Sequence, residues 1–378
     1  MRKTPHVLLD GNQVRLLRDG SEAFPAMLNA IEQAQEEINL EMYWFASDRT
    51  GLEFSEALSR AARRGVQVYL VYDAIGSLEA NPLMFAAMRR AGVKVCEYNP
   101  IAPWRSHFRI ARVNHRNHRK VLVVDNRLAF TGGINLGDAW ASREAGGQNW
   151  RDDMIAVEGP AAAQFRELFF QTWKRFEGSD PDALNRPPPR TPPPRGDAII
   201  RVLANHYLRD RRVIQRAYLR AVFQARRRVY ITNSYFLPDR RVLRALLGAA
   251  TRGVDVRIIV PALCDVLSVK LASQGTYETL LEAGVRIFEM QERGLHSKTA
   301  VVDSHWITIG SYNLDHRSWR FNLEINAEIR DAHLAKEMEA QFHRDLGFSK
   351  EIHLEEWQKR STGRRMGERF FYLFRKLL

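Results

Sequence analysis

A chain of 378 residues is longer than one hydrophobic core usually supports, so two domains are expected, and a 45% apolar content excludes wholesale disorder. With 57 Lys and Arg against 44 Asp and Glu, the formal charge of +13 directs the surface toward polyanions or anionic membranes without choosing between them. Two cysteines, Cys96 and Cys264, exclude a disulfide scaffold and are expected as buried thiols.

No segment approaches the roughly 20 consecutive apolar residues of a membrane-spanning helix, and no signal-peptide run follows Met1 to His6, so a cytosolic or peripheral protein is expected. The first predicted elements are a helix through 28–35 and a strand over 38–45. Next, Ala61-Ala62-Arg63-Arg64-Gly65-Val66-Gln67-Val68 reads as an amphipathic helix end, a glycine stop and a β-branched strand, a pattern repeated at Ala91-Gly92-Val93-Lys94-Val95. Residues 101–113 interleave aromatics with arginines, among them Trp104, Arg105, Phe108, Arg109 and Arg112. Such a loop suits acyl chains and headgroups, stacked bases, or plain solvent.

Residues 185–196 hold six prolines and read as a polyproline-II-like strap between domains, with a docking site for a proline-recognition module as the alternative. Beyond it the first half recurs: 219–226 echoes 28–35, Ala249-Ala250-Thr251-Arg252-Gly253-Val254 echoes 61–66, and Ala283-Gly284-Val285 echoes 91–93. Helices alternating with short apolar strands predict an α/β fold, one mixed sheet flanked by helices in each half. The domain reading is therefore 1–180, a linker at 181–196, 197–350, and a basic amphipathic segment at 351–378.

Each half carries one unusual string. In the first, His118-Arg119-Lys120 is followed by Asp125 and Gly132-Gly133-Ile134-Asn135; in the second, His296-Ser297-Lys298 is followed by Asp303 and Gly310-Ser311-Tyr312-Asn313. On a strand, residues two apart share a face, so each His and its Lys address a common target. Asp125 and Asp303 fall at the opposite parity and are assigned to holding a turn or neighbouring element. The glycines allow close backbone approach, and Asn135 and Asn313 offer amide donors beside the His–Lys pairs. Each half thus gathers one imidazole, one ammonium group and one amide toward a common target. His115 and His118 stand three apart, but no nearby Cys, Asp or Glu completes a metal shell, so no metal or cofactor is expected.

The doubled string is the signature of the phospholipase D superfamily, which the chain resembles over essentially its whole length. It is most similar to bacterial cardiolipin synthases, through Gly132 to Asp138, Asn149-Trp150-Arg151-Asp152, and Ser311 to Ser318. One departure is that Gly133 stands where the second motif has Ser311. The resemblance implies two similar domains about a pseudo-two-fold axis with one active site between them. It also implies a phosphohistidine intermediate, with His118 as nucleophile, His296 as general acid and base, and Asp152 and Glu324 as the acids that orient the imidazoles.

The implied function is transfer of a phosphatidyl group between two phosphatidylglycerols, giving cardiolipin and glycerol. Phospholipase D hydrolysis and a metal-independent nuclease are the alternatives. The expected partners are phospholipid substrates and an anionic membrane, with neither nucleic acid nor an obligate protein partner, and the expected place is the cytoplasmic face of the bacterial inner membrane. No counterpart of the amino-terminal transmembrane hairpin of some of these synthases is present, so attachment is expected elsewhere. Residues 357–378 carry seven Lys or Arg, one acid, Glu368, and an apolar stripe of Met366, Phe370, Leu373, Phe374 and Leu377 that meets either the membrane or the protein's own core.

Overall fold

A computed structural model describes residues 6–105, 108–176, 191–206, 210–264 and 266–375. The first half of the proline strap, residues 185–190, and Leu377 lie outside them.

The first half runs β1 (Leu9–Arg18), α1 (Asp19–Gln33), β2 (Glu37–Met42), α2 (Arg49–Arg63), β3 (Gln67–Asp73), α3 (Pro82–Arg90), β4 (Lys94–Tyr98), β5 (Lys120–Val124), β6 (Leu128–Gly132), β7 (Asp153–Glu158) and α4 (Ala161–Phe176). The second runs β8 (Ala198–Asn205), α5 (Val213–Gln224), β9 (Arg228–Asn233), α6 (Arg240–Thr251), β10 (Asp255–Pro261), α7 (Leu267–Gln274), α8 (Tyr277–Glu282) and β11 (Arg286–Met290). It continues with β12 (Lys298–Val302), β13 (Trp306–Gly310), α9 (His316–Arg320), β14 (Glu324–Arg330), α10 (Ala332–Gly347), β15 (Ser349–Ile352), α11 (Leu354–Gln358) and α12 (Thr362–Leu373). Local chemistry explains the periodicity: Asp48 and Asp239 cap the amino ends of α2 and α6, and Gly65 and Gly253, at φ +93° and +84°, turn the chain after the same helices.

The strand order is β15-β11-β10-β9-β12-β13-β14-β8-β1-β7-β6-β5-β2-β3-β4. Read outward from the centre, each half repeats the same sequence, four antiparallel pairings from β1 or β8 and then two parallel ones, and the second half adds an antiparallel β15 at its edge. Each half has the expected mixed sheet flanked by helices, and β1 and β8 pair antiparallel to join the two into one continuous 15-stranded sheet. Each strand would otherwise leave an unpaired edge, and joining them removes both edges at once. Val121, Val123 and Ile155 share a core cluster with Ile307, Ile309 and Ile325, so apolar burial also ties the halves. β15 straddles the boundary read at 350. Cys96 is buried as expected, whereas Cys264 is only half-buried, because it sits in the irregular segment between β10 and α7.

Both motif aspartates open the three-residue turns that follow β5 and β12. Asp125 and Asn126, like Asp303 and Ser304, have φ between 50° and 56°, the geometry of the mirror-image turns that suit twisted hairpins. The Asp125 carboxylate accepts the main-chain N–H groups of Gln35, Glu36 and Glu37 at 2.8–3.0 Å, and Asp303 accepts those of Arg226, Arg227 and Arg228 at 2.8–2.9 Å. Each aspartate therefore fixes the entry to the strand beside its motif. Burial works against the Asp303 charge, but the three N–H groups hold its carboxyl below the usual range. Its stabilisation is thus present above the ordinary carboxylate range and lost as pH falls through the lowered value. Asp303→Ala is expected to cost about 1–3 kcal/mol, by leaving three donors without their acceptor, measured as a lower Tm.

Candidate active site

The two motifs meet across the fused sheet. The His118 N–H donates to the Leu323 carbonyl at 2.9 Å, and the His296 N–H to the Arg151 carbonyl at 2.8 Å. Each histidine is therefore paired, main chain to main chain, with the residue just before the other half's acid. The side chains follow this exchange. His118 Nδ1 donates to Glu324 at 3.0 Å, and His296 Nδ1 donates to Asp152 at 2.8 Å. Glu324 also accepts from the Ser311 hydroxyl and from Asn322 Nδ2 at 3.1 Å, and Asp152 accepts from Trp140 Nε1 at 3.0 Å and the Asp153 N–H at 2.8 Å. With Nδ1 committed as donor, Nε2 is the nitrogen that each imidazole would bring to the chemistry.

The Gly133 to Ser311 difference has a steric cause. A Cβ on Gly133 would stand 2.1 Å from Asp152 Oδ1, so the first half must keep glycine there. In the second half the same position carries a serine that bonds the longer Glu324.

His118, His296, Asn135 and Asn313 line one cavity of about 630 Å³ between the halves, together with Tyr43, Trp150, Arg116 and Arg317. The Asn135 amide oxygen accepts from the Trp44 N–H and that of Asn313 from the Ser234 hydroxyl, so the NH₂ groups are what each can offer an anion. Ile75, Leu78, Val266 and Val269 also line it; the first three are exposed, as is Glu79 beside them.

The lysines sit deeper than a shared strand face suggested. Both are buried. Lys120 Nζ donates to the His118 carbonyl at 2.8 Å and stands 5.0 Å from the Tyr43 ring, while Lys298 Nζ donates to the His296 carbonyl. They therefore bring charge beneath the histidines and do not form the cavity wall. Burial pulls Lys120 down to about 7, and burial, outweighing the Glu324 carboxylate, pulls His118 down to about 4. Burial also raises Asp152, against the pull of Lys298.

The aromatic-basic loop lies elsewhere. Trp104 is 84% exposed, Arg105 faces Glu97 at 3.7 Å, Arg109 is exposed, and Phe108 and Arg112 are half-buried; none of the five lines the cavity. His115 Nδ1 bonds the Phe321 carbonyl at 3.1 Å.

Sequence reasoning missed the supporting framework. Arg151 is buried with Asp153 at 2.8 Å and Asp345 at 3.0 Å, and Asp153 in turn accepts from Ser297 at 2.7 Å, which clamps the second motif to the first half. On the other side, Asp73 accepts the Asn117 N–H at 2.7 Å, and Asn117 Nδ2 donates to Glu41 at 2.7 Å. Arg151 stood inside a string already singled out, Asn149 to Asp152. Nothing local marked Asp73, Glu41 or Asp345.

Similarity to known proteins runs the length of the chain. The family model described as cardiolipin synthase, PLD-like domain, matches residues 27–173 and 218–346. Cardiolipin synthase A of Pseudomonas putida is 35% identical over 371 residues, covering 98% of this chain and 76% of that protein. Cardiolipin synthase of Geobacillus kaustophilus is 32% identical over 376 residues, covering 99% and 74%. Among solved structures, phosphatidylserine synthase of Haemophilus influenzae superposes with a TM-score of 0.72 at 14% identity, over 97% of this chain and 95% of that one, a likeness of fold.

Proposed function

Because the chain belongs to the cardiolipin synthase family of phospholipase D-like proteins, we propose that it transfers a phosphatidyl group from one phosphatidylglycerol to another, releasing glycerol and forming cardiolipin. The observation that carries this reading is the exchange of acids: two histidines on one cavity, each held at Nδ1 by a buried carboxylate of the opposite half.

His118 Nε2 attacks phosphorus, and the bond from phosphorus to the glycerol headgroup oxygen breaks as His296 gives that oxygen a proton. The primary hydroxyl of the second phosphatidylglycerol, losing its proton to His296, then attacks the phosphohistidine. The P–N bond breaks, and both histidines return to their starting states. Lys120, Lys298 and the NH₂ groups of Asn135 and Asn313 offset the charge on the phosphoryl oxygens. Burial suits His118 to the first role, since an imidazole pulled down to about 4 is neutral at physiological pH.

A cavity with donors inside and apolar side chains at its mouth suits an amphiphile better than a nucleic-acid strand. We accordingly read the enzyme as a peripheral protein on the cytoplasmic, anionic face of the bacterial inner membrane, a reading that its charge of +13 supports. Among the described residues no helix is long and apolar enough to cross a membrane.

Incubation of the purified chain with phosphatidylglycerol vesicles, with products resolved by mass, tests the reading. Cardiolipin and glycerol in equal amounts are expected; phosphatidic acid alone would make it a hydrolase, and cleavage of plasmid DNA without lipid turnover a nuclease. The pH dependence of kcat/KM should be bell-shaped, rising through about pH 4 as His118 becomes neutral and falling from about pH 7 as Lys120 loses its charge. A profile flat from pH 6 to 10 would contradict the role given to the Lys120 charge.

A further inference from the structure

One helix, α7, links the mouth of the cavity to the carboxy-terminal helix. Ile75 and Leu78, after β3, and Val266, before α7, rim the cavity from opposite halves, and the adjoining Leu267 is 67% exposed. From there α7 runs to Gly275, a distance of about 12 Å for eight helical residues. At Gly275, α12 comes close enough that an added Cβ would lie 3.2 Å from the Glu368 carbonyl oxygen and the Tyr372 Cβ.

α12 docks with its acid inward. Glu368 is buried and accepts from Arg360 at 3.0 Å, with Arg364 Nε at 3.3 Å. The opposite face carries Met366, Phe370 and Leu373 at 66%, 54% and 72% exposure, with Arg369 exposed beside them. A helix meant only for water would bury the apolar stripe and expose the glutamate; this one does the reverse.

We propose that the outer face of α12 and the mouth of the cavity form one docking surface, and that its occupant is an anionic phospholipid bilayer. The inference rests on the lipid reading of the cavity. A bilayer supplies both things the surface lacks, an apolar layer for Phe370 and Leu373 and anionic headgroups for Arg369 and its basic neighbours. A second copy of the chain would set like charge against like. Docked in this way, the mouth opens onto the lipid layer, and a phospholipid reaches His118 without crossing water.

The test uses the full chain with two kinds of substrate: vesicles of phosphatidylglycerol with phosphatidylcholine, and a short-chain phosphatidylglycerol held below its micellar concentration. Wild type should float with the mixed vesicles and not with phosphatidylcholine alone. The double variant Phe370→Glu, Leu373→Glu should lose vesicle binding and vesicle turnover by about tenfold or more, as loss of the buried apolar face requires, while turning over the short-chain lipid at the wild-type rate. Leu267→Glu should act in the same direction. If the variants bind and process vesicles as wild type does, the docking surface is wrong. The same holds if they only change the oligomeric state, or if binding does not require phosphatidylglycerol. If wild type itself fails on the short-chain lipid, it is the substrate reading that fails.

Discussion

His118→Ala is expected to lower kcat on phosphatidylglycerol by about 10⁴-fold or more, and His296→Ala by a comparable factor, because each imidazole carries a bond-making or proton-moving step that no neighbour replaces. The double variant should be scarcely worse than either single one, since the two act in one reaction coordinate. A phosphatidyl ester of p-nitrophenol separates the roles, for its leaving group departs without a proton. His296→Ala should then release one equivalent of nitrophenol in a burst and stall, whereas His118→Ala should release none. The opposite pattern would exchange the roles of the two histidines, and substantial steady turnover by either variant would break the shared site.

The second large effect concerns the exchanged acids. Glu324→Gln keeps the shape but offers His118 Nδ1 a neutral amide in place of a carboxylate, which permits the wrong tautomer and leaves the forming phosphohistidine uncompensated. A fall in kcat of about 10²- to 10⁴-fold is expected, with KM little changed. Asp152→Asn should impose a similar loss through His296 at 2.8 Å. The nitrophenyl ester distinguishes them again. Asp152→Asn should keep its burst and Glu324→Gln should lose it, the reverse of what would follow if each acid served the histidine of its own half.

That exchange marks the limit of what the chain discloses before it is folded. The duplicated string, the helix and strand succession, and the parity that turned Asp125 and Asp303 away from the histidines all depend on local spacing, and local spacing survives into the structure. Which acid meets which imidazole depends instead on two strand ends 206 residues apart, the His118 N–H reaching the carbonyl before Glu324, and no local pattern encodes that meeting. The depth of the lysines was hidden for a related reason. Lys120 shares a strand face with His118, but its flexible stem folds back beneath the His118 carbonyl, a rotamer choice set by the surrounding packing. The C-terminal stripe was legible as a stripe, and its outward direction was not: that was decided by Glu368 finding the buried Arg360 on the inner side.

The central claim is a phosphatidyl group carried by a histidine in a site made by both halves. It is tested most directly by rapid denaturing quench of wild-type enzyme during turnover, followed by peptide mass spectrometry. The account predicts a phosphatidyl adduct on His118 that forms within one turnover, accumulates in Asp152→Asn with the nitrophenyl ester, and is absent from His118→Ala. An adduct confined to His296, or turnover to cardiolipin with no histidine adduct at any time, would contradict it.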